Sequence, residues 1–134
     1  MSSTRTIQDF DLTVTTALPA AAANADSASI DLEATGPAAL ESVEIELSVP
    51  ATPDLVDDKT VIFTFQDSAD DSTFAAISEL ATLTITGAGG AGAAATSTKV
   101  RLPSTTARYI NVNASTLAAA GDNTGVSYTW KILN

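Results

Sequence analysis

Apolar and polar residues alternate without interruption through residues 42–49, and this pattern restricts the fold more than any other feature of the chain. Successive side chains of a strand point to opposite faces, so a period of two indicates a strand with one buried face. We predict that the buried face carries Val43, Ile45, Leu47 and Val49, with Glu44 and Glu46 in water. This segment is the clearest strand in the sequence.

Similar short alternations recur along the chain, each bounded by turn-forming residues, and no convincing helical pattern interrupts them. The further predicted strands are 29–33, 60–66, 80–86, 97–102, 107–113 and 126–133, with another near 74–77 or in the N-terminal segment. Regular spacing of short strands is typical of a sandwich and not of βαβ units. The 134 residues fit one domain, which we predict to be an all-β, antiparallel β-sandwich of about eight strands.

The N-terminal segment allows two interpretations. Apolar side chains are spaced among polar ones in residues 6–16, and an alanine-rich stretch, residues 17–25, follows. The segment is either an ordinary first strand or an extended arm that crosses onto a neighbouring protein. We therefore divide the chain into residues 1–26, the arm or first strand with its linker, and residues 27–134, the sandwich. The candidate contact residues of the arm are Ile7, Phe10, Leu12, Val14 and Leu18.

Two loops have unusual compositions. Residues 87–95 contain only glycine and alanine, and because glycine has wide backbone freedom we predict a long, mobile hairpin loop there. Residues 67–72 form the densest acidic loop, but the match to an EF-hand fails at Ser72, where glycine is needed, and at Ser78, where the closing glutamate is needed. We interpret this loop as a turn in which Asp and Ser bond their own backbone, and leave open whether Asp67 to Asp71 bind a cation.

The charge of the chain is strongly negative and unevenly distributed. The formal net charge is -10, so a nucleic-acid phosphate backbone would be repelled and no nucleic-acid partner is predicted. Residues 1–71 carry 14 acids and two bases, whereas the remainder carries two acids and four bases. A strongly negative face suits a basic partner or prevents self-association. The many small residues bury little area each, so we expect support from oligomerisation or a partner surface.

The chain contains no histidine and no cysteine. The commonest general base, the usual transition-metal ligands and the thiolate nucleophile are therefore missing, and only carboxylate chemistry remains as a catalytic hypothesis. We predict that the protein is not an enzyme and has no cofactor or metal. The polar N-terminus shows no apolar leader region, and residues 20–23 are too short to span a bilayer, so a soluble, non-secreted protein without membrane contact is expected.

Large polar-tipped aromatics occur only late in the chain, as Tyr109, Tyr128 and Trp130. Tyr128 and Trp130 share one strand face with Val126 and Ile132, which indicates core packing. The alternative is a stacking platform for a glycan. That alternative would make the protein a carbohydrate- or cell-surface-binding module of the fibre or adhesin type.

Several segments together resemble a known family. The stretch from Phe63 to Phe74, Phe-Thr-Phe-Gln-Asp-Ser-Ala-Asp-Asp-Ser-Thr-Phe, resembles the strand followed by S-A-D-x-S-x-F found in small jelly-roll cement or decoration proteins of tailed-bacteriophage capsids. A small-residue segment before Ile30-Asp31-Leu32 and a late Leu102-Pro103 before residues 108–112 are similar as well. The likeness covers about residues 20–134 in layout, and short patches in sequence.

The resemblance implies a jelly-roll fold, a homo-oligomer (trimer, alternatively dimer) and binding to the major capsid protein on the outside of the head. The protein would be made in the host cytoplasm and reside on the virion. No catalytic residues carry over from such a family. The longer acidic first half and the Gly/Ala loop of this chain depart from the family pattern, and both bear on where the docking surface lies.

Overall fold

The computed structural model describes residues 13–32 and 43–133, which form two antiparallel sheets of four and six strands. The strands are β1 (Thr13–Ala17), β2 (Asn24–Asp26), β3 (Ile30–Asp31), β4 (Glu44–Val49), β5 (Thr60–Ser68), β6 (Ala75–Ala76), β7 (Leu83–Thr86), β8 (Thr96–Arg101), β9 (Tyr109–Thr116) and β10 (Ser127–Leu133). The described residues include no helix long and apolar enough to cross a membrane.

The strand order is that of a jelly roll. β2 and β3 both pair with β9, and β6 and β7 both pair with β5, so the ten strands occupy eight positions. In chain order the eight positions are β1, β2 with β3, β4, β5, β6 with β7, β8, β9 and β10. β1 pairs with β10, β2 with β9, β4 with β8 and β5 with β7, so the strands pair from the two ends of the chain inward, as in one long hairpin. Pairing of β10 with β4 and of β9 with β5 then rolls that hairpin into two sheets. The predicted jelly-roll-like sandwich is confirmed.

The core lies between the two sheets and is built as the alternation predicts. On β4 the exposed fractions of Ile45, Leu47 and Val49 are 2%, 0% and 2%, and Val43 just before the strand is equally buried. The facing layer includes Val61, Phe63 and Phe65 of β5, which are exposed by 2% or less. Each strand therefore contributes every second side chain to a shared interior, which is the arrangement that stabilises a sandwich.

The N-terminal part of the described chain belongs to the sheets. Thr13–Ala17 forms the edge strand β1, in register with β10 from Lys131 to Ser127. Asn24–Asp26 forms β2, a strand that the alanine-rich composition does not predict, because its three side chains are all exposed and give no apolar pattern. Strands of the sandwich thus occur on both sides of the predicted boundary at residue 26.

The Gly/Ala segment, residues 87–95, corrects one prediction. It is not a hairpin loop: β7 pairs with β5 in the six-stranded sheet and β8 pairs with β4 in the other, so the segment crosses between sheets. Thr52 and Ala93 exchange two backbone hydrogen bonds, of 2.8 and 3.0 Å, and Asp57 Oδ1 accepts from Gly90 N–H at 2.9 Å. The small residues let this segment lie directly against the β4–β5 loop, so close approach explains the composition better than mobility does.

A buried serine joins the two sheets. Ser27 Oγ accepts hydrogen bonds from Trp130 Nε1–H at 2.9 Å and from Val112 N–H at 3.1 Å, and it donates to the Ala28 carbonyl at 2.9 Å. Trp130 stands on β10 of the four-stranded sheet and Val112 on β9 of the other. One hydroxyl therefore satisfies two buried donors from opposite layers, which fixes how the layers sit on each other.

Candidate interaction surfaces

The late aromatic residues are mostly core residues. Tyr128 and Trp130 are fully buried, which confirms core packing and leaves neither ring available as a glycan platform. The Tyr128 ring meets Phe63 edge-on at 5.0 Å, and burial raises the pKa of the Tyr128 phenol to about 12. Tyr109 differs: it is half-buried on the outer face of the six-stranded sheet, with the Arg108 guanidinium 5.3 Å from its ring centroid.

The predicted contact residues of the N-terminal arm fall into two groups. Ile7, Phe10 and Leu12 lie outside the described residues. Val14 stands on β1 opposite Trp130 and is half-buried against the core. Leu18 is 2% exposed, and its N–H donates to the Val126 carbonyl at 2.9 Å. Leu18 is therefore a core residue of its own chain in this structure and does not lie on the surface.

The acidic loop at residues 67–72 is organised by Asp70. Its Oδ1 accepts hydrogen bonds from the Ser68 hydroxyl at 2.8 Å and from the N–H groups of Ser72 and Thr73, both at 3.0 Å. These donors, the Thr73 N–H foremost, hold the pKa of the Asp70 carboxyl below its usual range. Asp67 Oδ2 accepts from Ala107 N–H at 2.8 Å. The predicted self-bonded turn is confirmed.

The carboxylates of this loop are held by protein donors. Across residues 13–32 and 43–133 there is no group of three or more acidic side chains placed to hold a metal ion. Asp71 accepts the Ser29 hydroxyl, so three of the loop's carboxylates are engaged with protein donors. The arrangement is suited to holding the loop shape.

We expect the charge of Asp70 to stabilise the loop in a pH-dependent manner. Because the folded pKa is lowered, the stabilisation is present above the unfolded value near pH 4 and is lost as the pH falls through the folded value. Asp70→Asn should therefore lower the urea midpoint at pH 7 and lower it less at pH 3. Urea titrations followed by circular dichroism at both pH values measure this. An equal loss at the two pH values would contradict the assignment.

The large hydrophobic side chains most exposed within the described residues lie at or beside one end of the sandwich. Val56, Ile62 and Leu117 are 43%, 38% and 46% exposed. We call this end the loop end: it consists of the connections 18–23, 50–59, 87–95 and 117–126, because β1, β4, β7 and β9 all finish there. Apolar side chains left in water together, rimmed by polar ones, are typical of interaction sites.

Local geometry brings two of these side chains onto one face. Val61 and Thr116 are paired and point into the core, so the adjacent residues of each strand point outward. Leu117 N–H donates to the Thr60 carbonyl at 3.0 Å, which extends the ladder by one step and places Leu117 diagonally across from Ile62. Diagonal neighbours in a sheet lie within reach of long side chains.

Val56 is tied to the same end from the β4–β5 loop. Its N–H donates to the Ala120 carbonyl at 3.2 Å, and a Cβ added at Gly121 would lie 3.3 Å from Val56 Cγ2. The β4–β5 and β9–β10 loops are therefore in direct contact beside Val56. Sequence reasoning missed this surface, since its exposure depends on how the connecting loops meet.

The loop end is acidic as well as apolar. Its four connections carry four carboxylates and one base, Lys59. The carboxylates are Asp54, Asp57, Asp58 and Asp122, and all four residues are exposed. The Thr124 hydroxyl and N–H, at 2.6 and 3.1 Å from Asp122 Oδ1, hold the pKa of that carboxyl below its usual range. The surface around Val56 is therefore negatively charged at neutral pH.

Backbone strain concentrates at the same end. Positive φ occurs at four described residues other than glycine, and three of them are in these connections: Ala22 at 64°, Asp58 at 66° and Ala119 at 62°. Alanine has no side-chain group that favours the left-handed conformation. Holding an alanine in that conformation therefore costs about 1–2 kcal/mol of conformational free energy. Strain of this kind persists where the surrounding structure imposes it, and functional surfaces are enriched in it.

The outer face of the four-stranded sheet has a different chemistry. Lys131 Nζ lies 3.6 Å from Glu46 Oε1, and Arg101 Nη2 lies 3.4 Å from Glu44 Oε2, so its charges largely compensate one another. A shallow, open depression near the loop end is lined by small and polar residues: Ser48, Val49, Pro50, Ala95, Thr96, Ser97, Ser127 and Thr129. Glu44 and Glu46 on this face are thus each paired with a base.

Comparison with known proteins shows a likeness in structure alone. No protein-family model and no curated protein sequence matches the chain. Among solved structures, the crystal structure of the PBSX exported protein XepA matches with a TM-score of 0.54 and 13% sequence identity. The match covers 90% of this chain and 36% of XepA, so the chain corresponds to about a third of that protein. The two share a fold.

Proposed function

We propose that the chain is a structural protein of a bacteriophage virion, a cement or decoration protein that binds the outer surface of the head and stabilises it. The observation that carries the proposal is the jelly-roll fold shared over 90% of the chain with XepA, a protein of the phage PBSX. The resemblance of residues 63–74 to capsid decoration proteins supports it from the sequence. The partner is the major capsid protein, and the site of action is the capsid surface.

The physical properties of the domain suit such a role. A sandwich with a continuous buried core provides a rigid body, and repeated copies on a shell gain affinity through multivalency, so each single contact can be weak. Abundant carboxylates keep neighbouring particles apart. We further propose that the copies associate as trimers, or alternatively as dimers, on symmetry axes of the shell.

The proposal predicts direct binding to heads. Purified chain mixed with heads from a phage strain that lacks it should sediment with them and saturate at a fixed number of copies per head, because the shell repeats one docking site. Quantitative gel densitometry of the pellets measures the copy number, and light scattering of the free chain gives its oligomeric state. Heads of an unrelated phage are the control; absence of saturable binding would refute the role.

A second candidate function is glycan binding through the outer face of the six-stranded sheet. It is favoured by the half-buried Tyr109 ring and by the neighbouring pair Gln66 and Asn111, whose buried side-chain oxygens have no hydrogen-bond partner. Aromatic rings and amide groups are common in sugar sites. A glycan array separates this candidate from the first, since a head-binding protein should not need a sugar ligand.

A further inference from the structure

We infer that the loop end is the surface that docks on the head, and that its partner is a basic protein surface that presents apolar side chains. This inference rests on the proposed function and names the surface and the partner chemistry. It differs from the prediction that the N-terminal residues form the contact.

The first support is the distribution of exposed apolar area. Val56, Ile62 and Leu117 are the large hydrophobic side chains left most exposed among residues 13–32 and 43–133, and all three lie at or next to the loop end. Neither Ile62 nor Leu117 is needed inside, since Val61 and Thr116 fill the inward positions beside them. Exposed side chains of this size without a packing role in their own chain are available to a partner.

The second support is charge complementarity. The connections of the loop end carry four carboxylates and one lysine, whereas Glu44 and Glu46 on the outer face of the four-stranded sheet are matched by Arg101 and Lys131. The loop end therefore has uncompensated negative charge beside apolar area. A protein surface of opposite charge would be attracted over several ångströms and then held by apolar contact.

The third support is the rigidity of this end. Paired backbone hydrogen bonds join Thr52 to Ala93, Asp58 N–H donates to the Gly87 carbonyl at 2.9 Å, and Ala22 N–H donates to the Leu117 carbonyl at 3.3 Å. All four connections are thus bonded to strands or to each other. A surface held in one shape loses little conformational entropy on binding, which favours affinity.

Sedimentation with heads lacking the chain tests the inference. The double variant Ile62→Thr/Leu117→Ser should bind at least about tenfold more weakly than the unmodified chain, because a few large side chains carry most of the binding energy of an interface and this variant shortens two of them. Asp54→Lys should also weaken binding, by a larger factor at low salt than at high salt, since screening weakens the attraction it removes. Both variants change exposed residues, and circular dichroism confirms that they are folded.

Matched controls sit away from the loop end. Thr73→Ser/Thr105→Ser alters two exposed threonines in the β5–β6 and β8–β9 connections, at the opposite end of the sandwich, and Glu79→Lys reverses an exposed charge near Thr105, away from the loop end. Both controls should bind like the unmodified chain. If the unmodified chain binds and the loop-end variants bind equally well, the inference is wrong while the proposed function stands.

Two other outcomes also decide the matter. If the unmodified chain fails to bind heads, the proposed function falls and the inference falls with it. If Ile62→Thr/Leu117→Ser converts an oligomer into monomers in light scattering, the loop end is occupied by a second copy, and the head-docking inference is overturned. If the double variant does not fold, Asp54→Lys and its control Glu79→Lys give the answer alone.

Discussion

Replacing Gly92 with alanine is expected to lower the free energy of unfolding by about 3 kcal/mol or more, through left-handed backbone strain and overpacking together. Gly92 has a φ of 71°, and an added Cβ would overlap the Thr52 carbonyl oxygen and lie 2.6 Å from two backbone atoms of Pro53. The β4–β5 loop would have to move away, which would break the paired hydrogen bonds between Thr52 and Ala93. Urea unfolding followed by far-UV circular dichroism measures the loss.

Gly90 is the matched control for this prediction. Its φ is also 71°, but no atom lies within 4 Å of the position that a Cβ would take. Gly90→Ala therefore carries only the backbone cost, about 1–2 kcal/mol. The difference between the two variants isolates the close approach of the crossing segment to the β4–β5 loop. Equal losses for the two variants would mean that residues 87–95 do not pack as described.

The parts of the fold that sequence reasoning predicted are those that local patterns determine. The alternation in residues 42–49 identified both a strand and its buried face, because one face of β4 is fully covered and the other meets water. Every predicted strand segment overlaps an observed strand. Strand β2 was missed, since Asn24–Asp26 pairs through its backbone while all its side chains remain exposed. Backbone pairing without side-chain burial leaves no periodic signal.

The contacts that sequence reasoning could not reach are those between distant segments. The composition of residues 87–95 indicates backbone freedom but not which loop the segment lies against, and so a crossing between sheets was predicted as a hairpin. Leu18 was grouped with the arm, although its neighbour in space is Val126. The loop end likewise depends on four connections that are far apart in sequence. The local structural propensity of a segment carries no information about its contacts with segments that are far away in the sequence.

Replacing Ser27 with alanine is expected to lower the free energy of unfolding by about 3 kcal/mol, because two buried donors lose their acceptor at about 1–3 kcal/mol each. The donors are Trp130 Nε1–H at 2.9 Å and Val112 N–H at 3.1 Å, and Ser27 itself is only 6% exposed. Since Trp130 and Val112 belong to different sheets, the loss should loosen the contact between layers. Urea unfolding followed by far-UV circular dichroism measures it without depending on tryptophan fluorescence.

A double-mutant cycle separates the hydrogen bond from general packing. Trp130→Phe removes the indole donor and leaves a cavity, so it should destabilise the chain by itself. In the Ser27→Ala background, however, the indole N–H is already unpaired, and removing it should cost at least about 1 kcal/mol less than in the unmodified chain. Losses that simply add would show that Trp130 and Ser27 are not coupled. The hydroxyl would then act on β9 alone, and the two sheets would be held together by apolar packing without this polar link.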